Sequence, residues 1–273
     1  MFKTILACLP SPNTAEAVSL AAAKLAQEHG AFLIGAHNTV QIKVYGSIPS
    51  DILSRHAERE RSQAEQCQAA FHKAANNFGV AHEWRSRPAE DTDAFRDIVA
   101  QSRTADLVVA PAKDHQDPFD PWYDLPEHLT MDSGRPLLLI PQKRRRETIG
   151  SRIAIAWNGS REAARAAFDA LPLLQKAGSV HLLVIANDLT TAQRESASEF
   201  SAALARHEVQ AELVCIGGNG LSDGEELLAH VDQRDCDMLV MGFYGHSRLR
   251  EIVFGGATRH ILRAMTVPVF ASH

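Results

Sequence analysis

The chain has 273 residues, of which 45% are hydrophobic and 22% are charged. This composition is typical of a globular protein with a sizeable core, and the length suits two α/β domains better than one. The formal net charge of −5 gives no electrostatic reason to expect nucleic acid binding. No apolar run approaches the roughly 20 residues of a membrane span, and Met1 leads into a strand without signal-peptide features. We therefore expect a cytoplasmic protein that binds neither nucleic acid nor membrane.

Cysteine and histidine patterns give no sign of a metal site. The 4 cysteines form no Cys-x-x-Cys pair, so we expect reduced residues that lie mostly in the core. None of the 13 histidines belongs to a His-x-x-x-His motif with an accompanying acid on a helix. The sequence therefore predicts no bound metal.

Strands alternate with helices in the first half of the chain. Strands are predicted at Phe2–Leu9, Ala31–His37, Val80–Arg85, Leu107–Ala110 and Leu137–Ile140. Helices are predicted at Glu16–His29, Asp51–Phe78 and Asp93–Arg103. A segment rich in proline and aspartate separates the fourth strand from the fifth. This alternation predicts a parallel sheet covered by helices on both faces.

The second half repeats the same order of elements. Strands are predicted at Arg152–Trp157, Val180–Ala186, Gln210–Ile216, Met238–Met241 and Val267–Ala271, and helices at Glu162–Gln175, Gln193–His207 and Gly224–Gln233. The sequence thus predicts an internal duplication with two doubly wound, five-stranded parallel sheets. The two domains would span residues 1–142 and 143–273, and the first would carry roughly 16 extra residues before its third strand.

The apolar strand at Met238–Met241 is followed by a glycine-rich segment. Gly242 and Gly245 come directly after the strand, and Gly255 and Gly256 open a run with helical spacing. Glycine lets the main chain approach a ligand closely, and the start of a helix carries partial positive charge. This segment is therefore the predicted anion-binding site of the chain.

The spacing Gly242-x2-Gly245-x9-Gly255 resembles the nucleotide-binding signature of the universal stress protein family. The resemblance extends to Val240-Met241, to Gly256-Ala257-Thr258 and to Val267-Pro268-Val269. Tandem members of that family are similar to this chain in layout. The resemblance implies an adenine nucleotide α-hydrolase-like fold in both halves.

The same resemblance implies that the second half binds ATP, with or without Mg²⁺. Asn158 would hold the nucleoside, main-chain groups of Val184 would bind adenine, and the glycine segment would wrap the phosphates beside His246. The full set of implied ligand-binding residues is Ala156, Trp157, Asn158, Val184, Met241, Gly242, Gly245, His246, Gly255, Gly256, Ala257 and Thr258.

Three residues of this set depart from the pattern or complicate it. Asn158 stands where the family usually has aspartate, and Gly256 stands where it has serine or threonine. Thr258, which lies where a second hydroxyl group is expected, could compensate for the hydroxyl group that Gly256 lacks. Trp157 is bulky for its position, so it could stack on a base or block it.

The corresponding segment of the first half runs from Ala110 to Asp124 and contains no glycine. Four aspartates lie there, at positions 114, 117, 120 and 124. Phosphate would meet negative charge and a backbone stiffened by proline. We predict that the first half binds no nucleotide.

The two halves are expected to pack as an intramolecular pseudo-dimer through their fifth strands, Leu137–Ile140 and Val267–Ala271, and a further homodimer is left open. The implied role is stress sensing or signalling. One alternative is a nucleotide-free interaction module, and another is a slow ATPase or a nucleotide-using enzyme of the α-hydrolase-like group. No Gly-x-Ser-x-Gly elbow or Walker lysine is present, so the sequence predicts no catalytic residues.

Overall fold

The computed structural model describes residues 1–41, 49–90, 94–113, 122–143, 146–185, 190–217, 220–243 and 256–273. Its contacts divide the chain into two compact units, Met1–Gln142 and Lys143–His273. Among the helices in these ranges, none has the length and apolar character needed to cross a bilayer.

The first unit is a parallel α/β sheet. Its described strands are β1 (Thr4–Cys8), β2 (Phe32–Gln41), β3 (His82–Glu90), β4 (Leu107–Pro111) and β5 (Leu137–Ile140), in the spatial order β3-β2-β1-β4-β5. Its described helices are α1 (Pro12–His29), α2 (Ser50–Phe78), α3 (Ala94–Ser102) and α4 (Leu125–Asp132). Neighbouring strands pair in parallel, and β1, β4 and β5 are almost entirely buried because both faces are covered.

The second unit repeats this arrangement. Its described strands are β6 (Arg152–Trp157), β7 (Ser179–Ile185), β8 (Ala211–Ile216), β9 (Met238–Gly242) and β10 (Val269–Ser272), in the equivalent order β8-β7-β6-β9-β10. Its described helices are α5 (Arg161–Asp169), α6 (Leu171–Leu174), α7 (Thr191–Arg206), α8 (Asp223–Gln233) and α9 (Gly256–Ala264). The neighbouring strands are again parallel. The predicted fold class is confirmed.

One carboxylate contact occurs at the same place in both units. Asp106 accepts hydrogen bonds from the backbone N–H groups of Lys3 and Thr4 at 2.7 and 3.0 Å. Asp237 accepts them from Arg152 and Ser151 at 2.9 and 3.1 Å. Each aspartate thus ties the start of a central strand to the strand beside it, which is consistent with a duplicated domain.

The two units differ most in the segment before their third strand. Helix α2 has 29 residues, whereas its counterpart α7 has 16. Strand β2 has 10 residues and its counterpart β7 has 7. The extra residues of the first half therefore lengthen regular elements.

Several predicted elements differ from the structure. Strand β3 continues past Pro88 to Glu90; it is an edge strand, where proline need not donate to a ladder. Helix α4 was not predicted in the proline-rich segment. The single helix predicted from Glu162 to Gln175 is two, α5 and α6, divided at Ala170 two residues before Pro172.

Candidate functional site

The carboxyl ends of β6, β7 and β9 form the candidate edge of the second unit. Trp157 pairs with Val184 across β6 and β7. The register that pairs Ile155 with Val240 places Trp157 level with Gly242, two residues further on. The chain passes from β6 to β7 on one side and returns to β9 on the other, so this is the topological switch point, where open α/β sheets bind ligands.

Trp157 is used in packing within the unit. Its indole stacks on the Phe200 ring of α7 with 3.8 Å between centroids and an interplanar angle of 7°. The indole N–H donates to the hydroxyl group of Ser196 at 3.3 Å. Only 9% of the residue is exposed. The indole therefore belongs to the contact between β6 and α7.

Asn158 lies immediately beyond β6 and is exposed. Its Oδ1 atom accepts a hydrogen bond from the Ser160 backbone N–H at 3.0 Å, which forms a tight turn before α5. Ser160 then caps α5, because its hydroxyl oxygen accepts from the Ala163 N–H at 3.2 Å. The sequence order Asn-Gly-Ser thus holds the amide of Asn158 at the rim of the edge.

Gly242 ends β9 directly against the first turn of α5. A Cβ atom at this position would lie 2.4 Å from the carbonyl carbon of Glu162 and 2.5 Å from the nitrogen of Ala163. Both neighbours are backbone atoms, so no side chain can move aside. Gly242 is therefore required by the approach of the helix, whereas the sequence analysis assigned its role to ligand approach.

The segment that leaves β9 is held at its first residue. The backbone N–H of Phe243 donates to the Ser272 carbonyl at 3.0 Å, and the His273 ring Nδ1–H donates to the Phe243 carbonyl at 3.1 Å. Phe243 itself is buried. The glycine segment consequently starts from a fixed point.

A buried carboxylate lies beside this point. Burial by itself would raise the pKa of Glu162, but the hydrogen bond from Arg161, with a smaller contribution from His273, leaves the pKa lowered. Glu162 therefore stays ionised at neutral pH. Its charge is offset by the Arg161 guanidinium, with which it forms an ion pair.

The start of α9 lies after the glycine segment and is positioned by α8. Gly256 is exposed, Ala257 is half-buried and Thr258 is buried. A Cβ atom on Gly224 of α8 would lie 2.7 Å from the His260 Cβ atom and 3.1 Å from the Ala257 carbonyl oxygen. Gly224 thus allows α8 to contact the first turn of α9.

The other residues of the predicted set divide between strand interiors and undescribed positions. Ala156 is half-buried in β6, and Val184 and Met241 are buried in β7 and β9. Gly245, His246 and Gly255 lie outside the described residues. Of the described residues in this set, those at the ends of β6, β7 and β9 lie at one edge of the sheet.

The matching edge of the first unit is occupied by the unit's own side chains. Strand β2 runs past the end of β1, and there the backbone N–H of Val40 donates to Glu60 Oε2 at 2.7 Å. The Val40 carbonyl accepts from the His56 ring Nε2–H at 2.8 Å. Trp122 packs over Val40 and Ala89 from β2 and β3. Helix α2 thus satisfies backbone groups that would otherwise face outward.

The cation beyond β4 is also neutralised internally. The Lys113 ammonium group lies 2.8 Å from carboxylate oxygens of both Asp124 and Glu127, and 3.8 Å from the centre of the Tyr123 ring. Burial alone would lower the pKa of Lys113, but these two carboxylates raise it. Of the four aspartates predicted to disfavour phosphate, Asp124 is the one within the described residues.

Sequence reasoning missed several residues that shape the candidate edge. Phe200 and Ser196 hold Trp157, and Glu162 contacts Gly242. Gly224, predicted only as the start of a helix, allows the contact with α9. Each of these roles depends on a contact between residues distant in the chain, which no local pattern reveals. A local signal existed only for the cap of α5, because a serine such as Ser160 directly before an alanine-rich helix is typical of an N-cap.

Comparison with known proteins agrees with this architecture. Residues 151–273 match the sequence profile of the Universal stress protein family. Universal stress protein Slr1230 of a Synechocystis strain is 38% identical over 45 residues. That match spans 16% of this chain and only 16% of the relative's length.

Two solved structures resemble the chain over its full length. A universal stress protein from Archaeoglobus fulgidus has a TM-score of 0.72 at 14% identity, covering 98% of this chain and 97% of the other. A protein of unknown function from Pseudomonas aeruginosa PAO1 has a TM-score of 0.62 at 14% identity, covering 99% and 92%. At such identities the likeness shows the fold. Residues 151–273 therefore form a domain of the universal stress protein family, and the chain as a whole has the universal stress protein fold.

Proposed function

We propose that the second unit binds an adenine nucleotide, ATP with or without Mg²⁺, and that the first unit binds none. The observation that carries this proposal is the meeting of the β6 and β9 ends at the topological switch point, with the exposed amide of Asn158 at its rim. The start of α9 offers backbone N–H groups on the far side of the glycine segment.

The proposed role is cytoplasmic stress sensing, in which nucleotide occupancy changes the stability of the fold. A ligand that binds only the folded state stabilises it by about 2.7 kcal/mol at 100 times its Kd. Occupancy would then change which surfaces the protein presents to partners. The contact predicted between the two halves stays a prediction.

Calorimetric titration of the full chain with Mg-ATP tests the proposal. We expect one site per chain and an increase in the thermal midpoint that follows the nucleotide concentration. Absence of both heat and thermal shift at millimolar Mg-ATP would contradict nucleotide binding.

Two substitutions should strengthen the binding. Asn158→Asp keeps an oxygen for the Ser160 turn and supplies the ionised acceptor that a ribose hydroxyl group binds more strongly. Gly256→Ser adds the missing hydroxyl group where no atom lies within 4 Å of a Cβ. We expect each to raise the Mg-ATP affinity about threefold to tenfold. Gly178→Ser, in the turn before β7 where the nearest atom to a Cβ is 3.4 Å away, should leave it unchanged.

A nucleotide-free interaction module is the second candidate, and Gly242 favours it. The backbone of α5 alone requires glycine there, so that part of the signature would persist without any ligand. Under this alternative Asn158→Asp and Gly256→Ser would have no effect on Mg-ATP titrations. Slow ATP hydrolysis or another nucleotide-using reaction is the third candidate. It would be supported by detection of product formed from ATP.

A further inference from the structure

Two histidine rings of the first unit face each other at the junction of α2 and β3. His72 Nδ1 and His82 Nε2 are 3.0 Å apart. His72 lies in the penultimate turn of α2, and His82 is the first residue of β3. Both side chains are half-buried, so solvent reaches them. The sequence spacing, with nine residues between them, matches no metal motif.

Each ring is oriented by a second contact. The His82 Nδ1–H donates to the Val80 carbonyl at 2.9 Å, which leaves a lone pair on the Nε2 atom that faces His72. The Nε2 atom of His72 faces the amide nitrogen of Gln68, one turn earlier in the helix, at 3.4 Å, so the amide donates to it in the metal-free protein. Metal-binding histidines usually have such a partner on the other ring nitrogen, because it fixes the tautomer and the ring orientation.

A buried aromatic residue supports both rings. The centroid of Phe71 lies 5.6 Å from that of His72 and 5.6 Å from that of His82. Phe71 is fully buried against Trp84 and Gly35. Phe71 therefore holds both histidine rings in place.

We propose that His72 and His82 bind a divalent transition metal that prefers cis nitrogen ligands, Ni²⁺ or Cu²⁺. At the usual metal–nitrogen distance of about 2.0 Å, two nitrogens 3.0 Å apart subtend roughly 97° at the metal. This is close to the angle between adjacent positions in square-planar or octahedral coordination, which suits these two ions. Among the described residues no cluster of three or more His, Cys, Asp or Glu side chains could hold a metal, so water would complete the coordination.

Metal binding requires the shared proton of the pair to move, because both facing nitrogens must offer a lone pair to the metal. In the metal-free protein one proton lies between the rings, on His72 Nδ1, because His82 donates through its other nitrogen. Metal binding needs that proton to move to His72 Nε2, where the Gln68 amide, turned to present its oxygen, accepts it. The proton thus moves within His72, and metal binding releases none.

Titration of the full-length, untagged chain with Ni²⁺ tests the proposal by NMR, since the paramagnetic ion broadens nearby signals. We expect the ring signals of His72 and His82 to broaden at lower Ni²⁺ concentration than those of the other histidines. Comparable broadening of His128, whose ring lies 3.4 Å from Asp132 one turn away, would overturn the proposal. This experiment needs no variant.

Variants give a second measurement. His72→Gln and His82→Gln should each weaken Ni²⁺ binding at least about tenfold in calorimetry, whereas His128→Gln should not. Gln68→Ala should weaken binding less than either histidine variant, and Gln66→Ala, at an exposed position of the same helix, should have no effect. Circular dichroism checks that each variant is folded. Unchanged affinity in both folded histidine variants would refute the site.

Discussion

Gly242 shows how a single residue can belong to a ligand signature and yet be fixed by packing. We predict that Gly242→Ala lowers the free energy of unfolding by about 3 kcal/mol or more, because the added methyl group would collide with the α5 backbone. Thermal and urea unfolding of the full chain measures this loss.

Gly256→Ala is the matched control for that substitution. Nothing lies within 4 Å of a Cβ at Gly256, so we expect a change within about 0.5 kcal/mol. Equal losses in the two variants would show that α5 does not constrain Gly242.

His37 provides a prediction about pH. The ring is buried, its Nδ1–H donates to the Leu9 carbonyl at 2.6 Å, and it stacks near Trp84. Burial lowers its pKa, although the Leu9 carbonyl and Glu60 oppose the shift. The unfolded chain therefore takes up a proton in a pH range where the folded chain does not. Stability is complete above the ordinary histidine pKa of about 6.5 and falls as the pH drops towards the lower folded value.

We expect the slope of unfolding free energy against pH to include up to about 1.4 kcal/mol per unit from His37 below pH 6.5. His37→Gln should flatten this part of the profile, even though it also lowers stability at pH 8 by disturbing the Leu9 contact. Urea unfolding at several pH values, followed by circular dichroism, measures it. Parallel profiles for the two proteins would contradict the assignment.

Helix α8 supports the start of α9, and its own first turn is held by a capping box. The Ser222 backbone N–H and hydroxyl group both donate to Glu225 Oε2, at 2.8 and 2.7 Å. We predict that Ser222→Ala costs about 1 kcal/mol of stability and speeds amide hydrogen exchange in Gly256–Ala264.

Thr190→Ala is the control, because Thr190 and Gln193 form the equivalent box on α7. Its cost in stability should be similar, while exchange in α9 stays unchanged. Faster α9 exchange in both variants would mean that loss of stability alone explains the effect of Ser222→Ala.

Helices and strands were predictable where one local pattern dominated. Strand β6 was predicted with its observed bounds, because its apolar run ends at a polar turn. Helix α4 was missed since Pro126 and the acidic residues around it indicate a loop, although proline is well tolerated in a first helical turn. The extension of β3 past Pro88 depends on its place at the sheet edge, which is a tertiary property.

The two units can be observed separately in the intact chain through tryptophan. The chain has 3 tryptophans: Trp84 and Trp122 lie in the first unit, and Trp157 lies in the second. In a Trp84→Phe/Trp122→Phe protein only Trp157 reports unfolding, and in Trp157→Phe only the first unit does. We predict that Mg-ATP raises the thermal midpoint reported by Trp157 more than the midpoint reported by the first unit.

A shift confined to the first-unit reporters would place the nucleotide in the wrong half and contradict the proposed function. Equal shifts in both would contradict the predicted difference between the halves. The same comparison without nucleotide controls for the effects of the substitutions themselves.

The sequence located the candidate edge but could not describe how it is built. The apolar strand, the glycine spacing and Asn158 indicated where a ligand would bind, because each is a local feature. Three contacts join segments that are distant in the chain: Gly242 packs against α5, Trp157 stacks on α7, and the Val40 N–H donates to Glu60. Such contacts leave no mark in residue spacing.

The hydrogen bonds between Val40 and α2 limit what the first unit can bind at this rim. With the Val40 N–H and carbonyl already bonded to Glu60 and His56, the first unit needs no guest molecule or additional strand to satisfy its backbone there. A ligand at this rim would have to break both hydrogen bonds before it could use the same backbone groups. We therefore expect small molecules to compete poorly with α2 for the N–H and carbonyl groups of Val40.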